Sequence, residues 1–280
     1  MAKLVAGRVL AGALGIALGL AAQASVADTP LKRMTLRHDL LGFEAVGRLD
    51  IEEGFCSGAL IAPDLVLTAA HCLIDSRTGD RKDPRKVTFR AGVRDGVAIA
   101  ERKGARAVAH ADYDPKDSNG LRQLVSDIAL LQLADPIPAA EASPFALGAT
   151  PGTGGEVTVV SYARERRAAP SWQRRCAILQ HGQGAMQMTC DTHFGSSGAP
   201  VFDTRGDTPR IVSVISRGRR DGDVSRVWGM EVEAAVDELK AALRADRGVW
   251  PPKAGATARR LTIGSGSNRT SEGGARFVRP

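Results

Sequence analysis

The chain has 280 residues, 43% hydrophobic, 25% charged and 4% aromatic, an ordinary globular composition that excludes a wholly disordered protein. Its 31 glycines and 14 prolines follow no fixed period, which excludes collagen. The net charge of +7 sits at the ends, with +2 on residues 1–27, +5 on 246–280 and zero on 28–245, so the middle lacks the basic face of a specific nucleic-acid-binding domain.

Lys3 and Arg8 precede an apolar run from Val9 to Ala22, and small residues then offer cleavage after Ala24 or Ala27. Residues 1–27 are therefore expected to be a signal peptide, cut after Ala27 to leave Asp28-Thr29-Pro30 as a polar start. The run is too short and too rich in glycine for a transmembrane anchor, so secretion or delivery to a periplasm is expected, with no anchor after cleavage.

Short strands separated by turns fill the first half: Ala45–Leu49, Gly58–Ile61, Leu65–Thr68, Val87–Arg90 and Ile128–Leu133. Polar loops such as Asp75–Arg85 and Asp112–Gly120 lie between them. A junction rich in Pro, Ala and Gly covers 135–155. A second set follows, at Glu156–Tyr162, Ala185–Thr189, Pro200–Phe202, Ile211–Ile215 and Arg226–Met230. Many short strands with almost no helical period predict an all-β fold in two subdomains. One helix is predicted over Glu231–Ala245, with Val232, Val236, Leu239 and Leu243 on one face. Residues 246–280 have little to bury and are expected to form a basic, disordered tail with at most weak affinity for anionic surfaces.

Cys56, Cys72, Cys176 and Cys190 follow the leader. An even count in an exported chain points to two disulfides, and nearest-neighbour pairing, Cys56–Cys72 and Cys176–Cys190, closes two short loops. The spacings lack the Cys-x-x-Cys knuckles of structural zinc, so neither metal nor cofactor is expected.

Three segments carry chemistry. In Leu65-Val66-Leu67-Thr68-Ala69-Ala70-His71-Cys72 a strand ends in small residues that deliver a histidine beside a cysteine. In Ser126-Asp127-Ile128-Ala129-Leu130-Leu131 an acid heads an aliphatic strand, where burial is expensive without a partner. In Gly195-Ser196-Ser197-Gly198-Ala199-Pro200 a serine sits among small residues that leave backbone N–H groups free to face an oxyanion.

Together, in the order His, Asp, Ser, these segments resemble the chymotrypsin-like (trypsin-like) serine peptidases, most closely their secreted bacterial members. The resemblance runs from about Ala45 to Ala245, and Cys56-Ser57-Gly58-Ala59-Leu60-Ile61 resembles the family strand whose cysteine bonds the one after the histidine. It implies two six-stranded antiparallel β-barrels with a C-terminal helix, over residues 28–245. It also implies an endopeptidase in which Ser197 is the nucleophile, His71 the general base, Asp127 the residue that orients it, and the N–H groups of Gly195 and Ser197 the oxyanion hole. The partner is then a peptide or protein substrate met by a monomer. Asp191, Ser216 and Gly218 are the candidates for the pocket that reads the side chain before the scissile bond. An aspartate at position 191 would select Arg or Lys, and the strand Ile211–Ser216 lacks the histidine usual in glutamate-specific members.

Two departures stand out. Ser196 replaces the aspartate that in trimming-activated members receives the new N-terminal amine, and Ala199 replaces a glycine. Serine cannot form that ion pair, so activation by trimming is not expected. Ser196 is also the rival nucleophile, although only Ser197 has the Gly-x-Ser-Gly register. Arg164, Arg166, Arg167, Arg174 and Arg175 are read as a solvated loop, and His193 as a candidate lining of the cleft. The competing reading of the whole chain is a silent homologue acting as a binding module. The complete His, Asp, Ser set argues against it.

Overall fold

The computed structural model describes residues 29–222 and 224–251. The expected signal peptide and residues 252–280 lie outside that range. Strand β1 (Lys32–Arg33) leads into a closed barrel of β2 (Val46–Ile51), β3 (Gly54–Ala62), β4 (Leu65–Thr68), β5 (Thr88–Ala91), β6 (Ala100–Ala109) and β7 (Ala129–Leu133), joined in the order β2-β3-β4-β7-β6-β5. Leu49, Leu60, Leu67, Phe89, Leu130 and Leu131 fill it and are essentially solvent-free. Each contributes about 2 kcal/mol relative to exposure. Helix α1 (Ala70–Leu73) follows β4 directly, and α2 (Gly120–Ser126) precedes β7.

The second barrel comprises β9 (Glu156–Ser161), β10 (Ser171–Gly182), β11 (Ala185–Met188), β12 (Pro200–Asp203), β13 (Arg210–Asp221) and β14 (Val224–Glu231). Its sheet runs β10-β11-β14-β13-β12-β9, and the β10–β9 pairing closes it. Two short strands are appended: β1 pairs with β10, and β8 (Ala146–Leu147), from the predicted junction, pairs with β13. Phe43, Phe145 and Phe202 join the barrels, with ring centroids 5.4 Å apart for Phe43–Phe202 and 4.7 Å for Phe145–Phe202.

Helix α3 (Glu233–Arg244) returns to the first barrel, burying Val236, Leu239 and Leu243, and packs against β6 and β7. The expected tail from residue 246 needs correction. Asp246 pairs with Arg106 at 2.9 Å, and Trp250, 8% exposed, exchanges backbone hydrogen bonds with Ala107 and donates its indole N–H to Lys82 O at 2.8 Å. The folded part therefore runs on to Pro251, because a large aromatic and a paired acid give residues 246–251 something to bury. No described helix is long and apolar enough to cross a membrane.

Strands β6 and β10 escaped the sequence pattern. Each carries a bulge, between Gly104 and Arg106 in β6 and between Gln173 and Cys176 in β10, which breaks the two-residue alternation. Arg174 and Arg175 thus stand on a strand and not in a loop.

Candidate active site

Strand β4 ends at Thr68, and the fully buried Ala69 and Ala70 let the chain turn sharply into α1, which carries His71 and Cys72. Cys72 is bonded to Cys56 of β3, with Cα atoms 6.1 Å apart, and Cys176 to Cys190, 5.0 Å apart. These are the expected pairs. Cys56, His71 and Cys72 place their potential ligand atoms within 4.8 Å of one another, but both sulfurs are spent in the disulfide and offer no thiolate.

Asp127 caps the end of α2 and is 4% exposed. Its Oδ1 accepts the His71 backbone N–H at 2.9 Å, and its Oδ2 lies 2.8 Å from His71 Nδ1. The same Oδ2 accepts the hydroxyl of Ser216 at 2.5 Å. A buried carboxylate with these partners is well satisfied. The pairing makes Nδ1 the protonated nitrogen and leaves Nε2 free to accept a proton. Nearby Tyr113, half-buried, has its phenol pushed above the ordinary range, first by desolvation and then by the Asp127 charge.

Ser197 lies on the loop ahead of β12, held by residues of the first barrel. Ser57 of β3 donates its backbone N–H to Ser197 O at 2.8 Å and its hydroxyl to Gly195 O at 2.9 Å. Thr68 donates to Ser57 O at 2.9 Å. Only glycine fits at 198, where φ is +76° and an added Cβ would stand 2.2 Å from Thr68 Oγ1 and 2.3 Å from Ser57 O. Among the described residues neither the Gly195 nor the Ser197 N–H donates a hydrogen bond, which leaves both for a ligand oxygen. No hydrogen bond joins Ser197 to His71, a contact that often closes only around substrate. Ser196 is buried, its Oγ 3.2 Å from Tyr162 O and 3.3 Å from Ser161 Oγ, so its hydroxyl is engaged inside the second barrel.

Beside Ser197 opens a cleft of about 420 Å³, lined by Thr192, Phe194, Ser216, Gly218 and by Arg217, Arg219 and Arg220. At Gly218 an added Cβ would come within 2.7 Å of Thr192 Oγ1, so the missing side chain keeps the cleft open. Asp191 departs from expectation. It is not among the lining residues; its carboxylate is paired with Arg220 and its N–H donates to Gln173 Oε1 at 2.6 Å. The reading of Asp191 as a free anion at the pocket floor is corrected accordingly: Arg220 from β13 reaches it first. Ser216 lines the cleft as expected, but its hydrogen bond to Asp127 was not foreseen. Nor was the bracing role of Ser57, which the Cys56-Ser57-Gly58 motif could have suggested.

A family model for the trypsin-like peptidase domain matches residues 56–208. The chain belongs to the trypsin-like peptidases. Among curated relatives of this trypsin-like chain, a glutamyl endopeptidase from Bacillus licheniformis is 26% identical over 165 residues, covering 58% of this chain and 49% of that protein. The chain thus spans about half the length of that relative. A solved structure of a Glu endopeptidase in complex with MPD superposes with a TM-score of 0.65 at 17% identity, covering 79% of this chain and 99% of the other. At that identity it speaks for the fold, the chymotrypsin-like double barrel.

Proposed function

We propose that the chain is an exported serine endopeptidase, working through His71, Asp127 and Ser197. The observation that carries the reading is the Asp127 carboxylate, which holds His71 at both its backbone N–H and its Nδ1. Ser197 Oγ attacks the scissile carbonyl as His71 Nε2 takes its proton. The oxyanion forms against the N–H groups of Gly195 and Ser197. His71 then returns the proton to the leaving amine, giving an acyl-enzyme that water, activated by the same imidazole, hydrolyses. Asp127 stabilises the imidazolium in both halves. The site is assembled within one chain, which supports action as a monomer. The two disulfides and the leader-like residues 1–27 support export to a periplasm or the exterior.

Cleavage after Arg or Lys would need the Asp191 carboxylate free and facing the cleft. The cleft favours the opposite charge. Arg217, Arg219 and Arg220 line it, while Asp191 and Asp221 pair with Arg220 and Arg219. Each guanidinium carries five N–H donors, so these pairs leave donors for a substrate carboxylate. We therefore favour cleavage after acidic residues, in keeping with the glutamyl endopeptidase relatives. Arginines here do the work for which the strand Ile211–Ser216 has no histidine. A charge-assisted pair of about 1.5–3 kcal/mol gives about ten- to a hundredfold selectivity. Digestion of a peptide library, with the Ser197→Ala protein as blank, tests this. Enrichment of Glu or Asp before the cut is expected; enrichment of Arg or Lys would restore the Asp191 reading, and no cleavage at all would favour the silent homologue.

A further inference from the structure

The reading of the arginine cluster as a solvated loop fails at Arg166. It is 8% exposed, whereas Arg164 and Arg167 beside it are exposed. Burial pushes its guanidinium below its ordinary value against the opposing charges of Asp191 and Glu165, and both of those acids form their direct ion pairs elsewhere, with Arg220 and His193. A buried guanidinium with no carboxylate in direct contact is costly, so this one invites a functional account.

The hydrogen bonds supply it. Arg166 Nη1 donates to Ser161 O at 3.1 Å and to Ser161 Oγ at 3.3 Å. Ser161 Oγ lies 3.3 Å from Ser196 Oγ, which also accepts the His193 N–H at 3.3 Å. The two residues before Arg166 grip the same loop. Glu165 pairs with His193 Nδ1 at 3.2 Å. Arg164 donates its backbone N–H to Phe194 O at 2.8 Å and lays its guanidinium over the Phe194 ring, 5.1 Å from the centroid. Three consecutive residues of one turn thus contact 193, 194 and, through Ser161, 196, and this gripped stretch contains the Gly195 N–H and directly precedes Ser197.

We propose that the Arg164–Arg166 turn is a built-in clamp on the oxyanion loop, with Arg166 its principal positioning residue, holding the loop in working shape where Ser196 leaves no carboxylate for a chain-terminal amine. This rests on the serine-peptidase reading above. Arg166 touches no substrate; it acts through Ser161 and Ser196 on the direction of two N–H groups. Those groups matter most when the carbonyl oxygen becomes an anion, so their misplacement lowers kcat and leaves substrate binding nearly unchanged.

The test compares parent, Arg166→Gln, Arg166→Lys and Ser161→Ala, with kcat and KM measured separately and the folded fraction read from thermal unfolding. Arg166→Gln is expected to lower kcat about thirtyfold or more, with KM within about threefold. Arg166→Lys, which keeps a charge and a donor, should recover at least a third of the parent rate. Ser161→Ala, which removes only the hydroxyl link, should lower kcat about threefold to tenfold. Should Arg166→Gln fail to fold, Ser161→Ala and the lysine variant carry the decision. Folded variants with the parent kcat, or a KM that rises while kcat holds, would overturn the clamp. An inactive parent would instead overturn the peptidase reading.

Discussion

Ser216 and Asp127 come from different barrels and meet at 2.5 Å, so the acid that steadies His71 is itself held from the far side of the cleft. The contact ties the alignment of the site to the packing of one barrel on the other. Removing the hydroxyl leaves the carboxylate one partner short in a buried place. Ser216→Ala should lower kcat about tenfold, from the loss of a charge-assisted hydrogen bond. Steady-state kinetics on a preferred peptide checks this, and an unchanged kcat would reduce Ser216 to a lining residue.

The two adjacent serines separate cleanly by environment. Ser197→Ala should abolish labelling by a fluorophosphonate probe and lower kcat by about four to six orders of magnitude. Ser196→Ala should retain labelling, because the Ser196 hydroxyl is turned inward to Tyr162 O and Ser161. A labelled Ser197→Ala protein would mean that the nucleophile had been misplaced.

Specificity should respond to Asp191 in a telling direction. As the partner of Arg220, its removal frees a guanidinium beside the cleft. Asp191→Ala should then raise kcat/KM for Glu-containing peptides, by about threefold to tenfold, and Arg220→Ala should lower it. Peptide pairs differing only at the residue before the cut measure both effects. Loss of an Arg/Lys preference on Asp191→Ala would point the other way.

Trimming the N-terminus should cost stability and not chemistry. Strand β1 pairs with β10, Lys32 bonds Asp39 at 3.0 Å, and Met34 is fully buried. A protein beginning at Met34 loses the strand and the ion pair, and its Tm should fall by a few degrees relative to one beginning at Asp28. Their kcat values should agree within about twofold, since Ser196 offers no carboxylate to a new amine. A large rise in kcat on trimming would reveal an activation step.

Much of this architecture was legible because its strands are short, aliphatic and alternating. Leu65–Thr68 was bounded correctly, and α3 lies within the predicted Glu231–Ala245. His71, Asp127 and Ser197 stood in motifs whose spacing carries meaning. Other parts depended on distant partners. Asp191 has the sequence position of a pocket anion, but the fold sets Arg220, 29 residues away, against it. Helix α2, which starts where the expected polar loop Asp112–Gly120 ends, is not legible in the sequence, because its Asn119 cap and one buried leucine, Leu124, give too weak a stripe to read as helix. Arg166 looked like its exposed neighbours, and nothing in its immediate sequence says that Ser161 waits for it.

The Cys56–Cys72 bond has a reach that its two residues do not suggest. One end adjoins His71 in the chain, and the other adjoins Ser57, which braces Gly195 and Ser197. His71 and the Ser197 loop are thereby moored to the same covalent link. A chain whose thiols are kept reduced has both moorings loosened together, so on the proposed reading its hydrolysis is expected to be fastest in an oxidising surrounding.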